Sequence, residues 1–154
     1  KKNISLISIH TNFDKTHLNR YLCEQILGFE VIDTQRYMAT FRVDLHFEDL
    51  LNKIEKSLEV KNLSYLKCKD FIQEGTIICG SGGSALETCS SELFLSGDLK
   101  YHDYIRAKSH NISLIDITHY HSEKHFATLL GENLKNLPIK VIIANFESPI
   151  EKRL

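Results

Sequence analysis

Seven consecutive positions, His119 to His125 of the stretch "ITHYHSEKH", hold three histidines and a glutamate. Imidazole nitrogen and carboxylate oxygen are standard donors to zinc and similar divalent ions, and both groups also serve as general acids and bases. Spacing separates these residues. Phe126, Ala127, Leu129, Leu130 and Leu134 recur at helical intervals and define an apolar stripe. Extended backwards at about 100° per residue, the stripe takes in Glu123 and His119, which stand four apart on one face. His121 and His125 fall on the opposite face, where solvation is expected. An inward carboxylate needs a partner, because leaving it unpaired is costly. A metal ion, an Arg or Lys, or a backbone cap would each serve, and Ser122 at the helix start keeps the cap open.

"HTNFD" supplies His10, Asn12 and Asp14. Asp14 reads either as the N-cap of a helix beginning at Lys15 or as a metal ligand, and His10 either as a hydrogen-bonded core histidine or as a site residue. Should Asp14, His119 and Glu123 meet, one imidazole and two carboxylates would suit a hydrolytic metal with a position open for water. "CGSGGS" puts Gly80, Gly82 and Gly83 where a strand turns into a helix. Such a turn can aim backbone N–H groups at an anion or simply be tight; it lacks the lysine and spacing of a Walker loop. "SGDLKYHD" adds Asp98, Lys100, Tyr101, His102 and Asp103. His102 could act as a general acid or base and Lys100 could hold a phosphate, or each could be structural.

The elements that must carry these groups alternate between strand and helix. Residues 4–9 read as a buried strand, residues 15–27 as an amphipathic helix stopped by Gly28, residues 37–43 as a strand and Phe47 to Leu58 as a helix. Residues 63–68 form a weak strand. Residues 76–79, 92–95 and 113–117 are short apolar strands, and 139–146 is the last. Helices fill 83–90, 99–109 and 121–135. The alternation predicts one α/β domain over residues 1–154, with a mixed, largely parallel sheet flanked by helices. Four of the strands run directly into the polar stretches above. Ligands of open α/β sheets sit at the carboxyl ends of strands, so one shared crevice is expected.

Composition narrows the function classes. A net charge of −1 gives no electrostatic reason to expect nucleic acid or an anionic membrane as a partner. With 42% hydrophobic and 25% charged residues, and no apolar run long enough to span a bilayer, the chain reads as a globular protein of the cytoplasm. Cys23, Cys68, Cys79 and Cys89 form no CxxC pair, which favours free thiols over a thiolate metal site.

Taken in order, "HTNFD", "CGSGGSALE", "SGDLKYHD" and "LIDITHYHSE" resemble the C-terminal part of the GTP cyclohydrolase I type 2 homologues, the Nif-three-like proteins, from about Asn3 onward. The resemblance implies an α/β fold of two related lobes assembled into a hexameric ring, with two divalent ions per subunit (zinc, manganese, iron or nickel). By that likeness Asp14, His119 and Glu123 are metal ligands, the glutamate bridging both ions. Glu123, His102 and His10 would serve catalysis, while Gly82, Gly83, Lys100 and Tyr101 would hold the ligand. The implied activity is metal-dependent hydrolysis of a purine nucleotide or related compound. The rival expectation is a metal-binding interaction or scaffold protein without turnover, with protein partners. The family's upstream paired-histidine motif has no counterpart here, and the chain starts at Lys1-Lys2 without a methionine. It is therefore expected to be the C-terminal portion of a longer protein, with part of the ligand set and weak or single-ion binding.

Overall fold

A computed structural model describes residues 3–148 and 150 of the chain. The first helix covers residues 11–27 and so begins before the expected Lys15. Leu18, Leu22, Cys23 and Leu27 are buried along it. Within it, Asp14–Leu18 and Leu22–Leu27 take the wider i→i+5 hydrogen-bond pattern. Gly28 ends it at φ 67°, a left-handed conformation that glycine adopts without a Cβ clash. The Phe47–Leu58 helix has the expected bounds and buries Phe47, Leu50, Leu51, Ile54 and Leu58 on one side.

Six strands form one sheet: β1 (Val31–Gln35), β2 (Met38–His46), β3 (Ser64–Leu66), β4 (Phe71–Ser81), β5 (Leu93–Gly97) and β6 (Ser113–Asp116), in the order β1-β2-β4-β5-β6-β3. The α/β class and the mixed sheet are as expected. Parallel pairing, however, is confined to β4–β5 and β5–β6, while β1–β2, β2–β4 and β6–β3 are antiparallel. The reason is connectivity. β1, missed in the sequence because its residues are mostly polar and exposed, joins β2 through a tight turn with Arg36 at φ 50°. Among strands that pair with each other, only β4–β5 and β5–β6 are joined through helical crossovers, a 3₁₀ segment at Gly83–Thr88 and the Tyr101–Ser109 helix; the Phe47–Leu58 helix carries the chain from β2 to β3, which do not pair.

The central strands are buried on both faces, with side chains alternating between them. Leu93, Leu95, Ile77 and Ile115 join Leu18, Leu22, Phe41, Ile54 and Leu58 in the larger core. Ile78, Phe94 and Leu114 face the other way, against Leu86, Ala107 and Ile112. Two expected strands are absent. Residues 4–9 and 139–146 belong to no strand or helix, and Leu6 is 96% exposed and Ile142 79%. Their alternation is that of a strand, but neither segment pairs with the edge strands of the sheet, β1 and β3. The expected 121–135 helix breaks at Lys124–His125 into His119–Glu123 and Phe126–Leu134. No helix among the described residues is long and apolar enough to cross a membrane.

Candidate functional site

The carboxyl ends of β4, β5 and β6 converge. β4 bends at Gly80 (φ 72°), whose N–H donates to Ser122 Oγ at 2.8 Å, while that hydroxyl donates to the His119 carbonyl at 2.7 Å. This chain of bonds sets the His119–Glu123 helix over the end of β4. Asn19 brings in the first helix: its side chain donates to the Tyr37 carbonyl at 2.7 Å and accepts from Cys79 N–H at 2.8 Å. Asp14, one turn earlier, thereby comes over the same strand end. It lies inside the helix rather than at its start, so the N-cap reading is overturned; His10 occupies that position without a side-chain cap bond.

His119 Nδ1 donates to Asp98 Oδ2 at 2.7 Å, and its Nε2 lies 3.3 Å from Glu123 Oε2. Burial opposes the charged imidazole, yet the Asp98 hydrogen bond and the Glu123 charge outweigh it and raise the His119 pKa. Burial raises the Glu123 carboxyl; His119 opposes this and Asp14 adds to it. Asp14 is raised by burial against the pull of His10 and His119. Cys79, beneath them, has its thiol held up by burial. Asp14, His119 and Glu123, with His10, line a cleft of about 730 Å³ and, on its other side, a smaller one of about 290 Å³. They share one crevice, as expected, but among the described residues no three His, Cys, Asp or Glu side chains close into a metal-binding group.

The donors are nonetheless of the types that divalent cations take, one imidazole and two carboxylates on one cleft. Two carboxylates that repel one another face a histidine whose far nitrogen is fixed by a third, the carboxylate–histidine pattern of many metal sites. Gly80 keeps the space beside them open, since a Cβ there would sit 2.5 Å from Glu123 Oε1 and 3.5 Å from His119 Nε2. The nearby Lys124 ammonium is engaged elsewhere, donating to the Leu58 carbonyl at 2.9 Å.

Three other expected residues lie apart, while Gly82 lines the smaller cleft. Lys100, Tyr101 and His102 are exposed at the start of the Tyr101–Ser109 helix and line neither cleft. Gly82 spends its N–H on Ser96 Oγ at 2.8 Å, and Gly83 packs against the Asp103 carboxylate, so this turn has a packing reason for its glycines. His121 and His125 are half-buried, not solvated: His121 Nδ1 lies 2.7 Å from Thr118 Oγ1, and His125 stands at the break, at the head of the Phe126–Leu134 helix. The inward direction of Glu123 survives that break because His119 and Glu123 belong to the same short helix. Sequence reasoning missed Asp98 as the partner of His119, and missed Asn19 and Ser122 as the ties between elements. A polar residue amid an apolar helical face, as Asn19 is, was the available signal.

An open-edged α/β sheet with a histidine–carboxylate crevice at its strand ends defines the class. A family model described as Duf34/NIF3 (NGG1p interacting factor 3) matches residues 1–150, and the chain belongs to this family. A GTP cyclohydrolase 1 type 2 homolog of Campylobacter jejuni is 42% identical over 151 residues, covering 97% of this chain and 63% of that protein. A GTP cyclohydrolase 1 type 2 of Helicobacter pylori is 40% identical over 98% of this chain and 63% of its own length. The chain thus spans less than two thirds of the curated relatives it matches. The crystal structure of a Staphylococcus aureus hypothetical protein shares the fold, with a TM-score of 0.78 at 22% identity over 96% of this chain and 68% of that one.

Proposed function

We propose that His119, Glu123 and Asp14 serve a divalent-metal centre in a cytoplasmic hydrolase acting on a purine nucleotide or related compound. The observation that carries this reading is His119, pinned at Nδ1 by Asp98 and turned at Nε2 toward Glu123, in a crevice shared with Asp14. The names of the Campylobacter and Helicobacter relatives support the substrate class.

A divalent ion held there would supply Lewis-acid activation of a water. The chain's own groups do the rest. Glu123 and Asp14, both raised by burial, would hold the ion, and its charge would keep them ionised. His10, exposed at the rim and bonded to Thr11 Oγ1 at 2.7 Å, is placed to move a proton between site and solvent. Tyr120, Phe126, Ile143 and Phe146 give the cleft an apolar wall suited to the flat face of a base.

The test is turnover of a nucleotide panel, GTP included, by protein loaded with zinc or manganese. Glu123→Gln should lower hydrolysis by about 10²-fold or more. Hydrolysis that ignores both Glu123→Gln and Asp14→Asn would remove the reading. The exposed apolar segments favour a second one, a metal-binding interaction protein without turnover, because such patches mark contact surfaces. Catalytic silence together with partner capture that survives Asp14→Ala and Glu123→Ala would select it. A homo-oligomeric ring belongs to either reading, and sedimentation checks it.

A further inference from the structure

Two loops meet at His119, and their contact is unusually tight. A Cβ at Gly97 would lie 2.5 Å from His119 N and 2.6 Å from the Thr118 carbonyl carbon, so the end of β5 rests directly on the Thr118–His119 peptide. On each side of that contact stands a residue in a rarely used backbone conformation. Thr118 has φ 60° and ψ 151°, a region that β-branched residues avoid. Asp98 has φ 53°, a left-handed conformation that a short polar side chain tolerates. Such conformations persist where the surroundings over-determine them. Here the determinant is Asp116 at the end of β6. Its Oδ1 accepts the Thr118 N–H at 2.8 Å and its Oδ2 accepts the Leu99 N–H at 3.0 Å, so one carboxylate holds both loops. The Ile117 N–H, donated to the Ser96 carbonyl at 2.9 Å, completes the tie.

We propose that Asp98 and Asp116 are positioning residues for His119. Asp116 locks the Asp98 loop to the His119 loop, and Asp98 then fixes the imidazole with its proton on Nδ1, leaving the Nε2 lone pair for a cation beside Glu123. A carboxylate can only accept from a neutral ring, and the ring has one proton for two carboxylates: Asp98 at 2.7 Å from Nδ1 holds it against Glu123 at 3.3 Å from Nε2, and that difference sets the tautomer. Asp116 lines neither cleft; it acts through the loops. The part concerning metal affinity rests on the proposed metal centre, whereas the part concerning the tautomer does not.

The experiment is nitrogen NMR of protein labelled with ¹⁵N-histidine, at alkaline pH where the ring is neutral, with His119 assigned by its loss in His119→Gln. The wild-type protein should show a protonated Nδ1 and a bare Nε2. Asp98→Asn keeps the shape and tolerates the same backbone conformation, but its amide can donate to Nδ1, so the Nε2–H tautomer should appear. Zn²⁺ affinity, read by calorimetry, should fall by roughly 10–100-fold. Asp116→Asn should mix the tautomers by loosening both loops; if that variant does not fold, the exposed Asp98 position decides alone. A His119 that stays protonated at Nδ1 in Asp98→Asn overturns the proposal, as does unchanged Zn²⁺ affinity in a protein that binds Zn²⁺. A wild-type protein that binds no Zn²⁺ but shows the tautomer change would sink the metal centre and leave the positioning role standing.

Discussion

At the scale of single residues, Gly80 shows how closely backbone and site are coupled. It combines a left-handed φ with a missing side chain on the Glu123 side. Gly80→Ala should destabilise the protein by about 1–2 kcal/mol through the backbone alone, as read from urea denaturation. The added methyl should also displace the Glu123 carboxylate, so Zn²⁺ affinity should fall further than the stability loss explains. A variant that loses stability but binds Zn²⁺ normally would separate Glu123 from the ion. The His119–Glu123 pairing was legible in the sequence because i,i+4 proximity is a local property of any helix. The behaviour of His125 was not, since it depends on a helix break that the continuous apolar stripe conceals. The Asp98–His119 bond, between residues 21 apart, depends on how two strand ends meet, and no local pattern records that.

At the scale of elements, Glu92 ties β4 to β5 ahead of their parallel register. Its Oε2 accepts the Gln73 N–H at 2.7 Å and its Oε1 takes Lys69 Nζ at 2.9 Å. The backbone hydrogen bond from Gln73, aided by Lys69, holds its carboxyl below the usual glutamate range. The folded state therefore binds this proton less readily than the unfolded state. The stabilisation is complete above the unfolded glutamate pKa and is lost as pH falls through the lower folded value. Glu92→Gln should cost about 1 kcal/mol at neutral pH, and the gap to wild type should close in acid. A gap that widens in acid would contradict the assignment. Strand existence was readable for β2 and β4–β6, where buried apolar runs dominate. Residues 4–9 and 139–146 carry the same pattern yet pair with neither edge strand of the sheet, so period alone could not tell a paired strand from an unpaired one.

At the scale of the whole molecule, stability is concentrated between the central strands and the helices on the larger-core face, and the apolar segments at 4–9 and 139–146 lie outside it. Leu95→Ala, at a fully buried position in β5, should cost about 2–5 kcal/mol. Leu6→Ser should change the unfolding free energy by no more than about 0.5 kcal/mol in urea denaturation, because Leu6 is almost fully exposed. A large loss at Leu6 would mean that this segment is packed in solution. The strand order also fixes a sequence of events in time. β3 lies between β2 and β4 along the chain, yet it pairs only with β6, far downstream. That pairing closes a long loop, and its partner must already be in place, so β3 should dock after the folding barrier is crossed. Substitutions at Leu66 should accordingly speed unfolding and leave the refolding rate nearly untouched, with φ-values near zero in stopped-flow kinetics. Ser64 of β3 pairs with Asp116, so the rim of the cleft would be the final part of the molecule to set during folding.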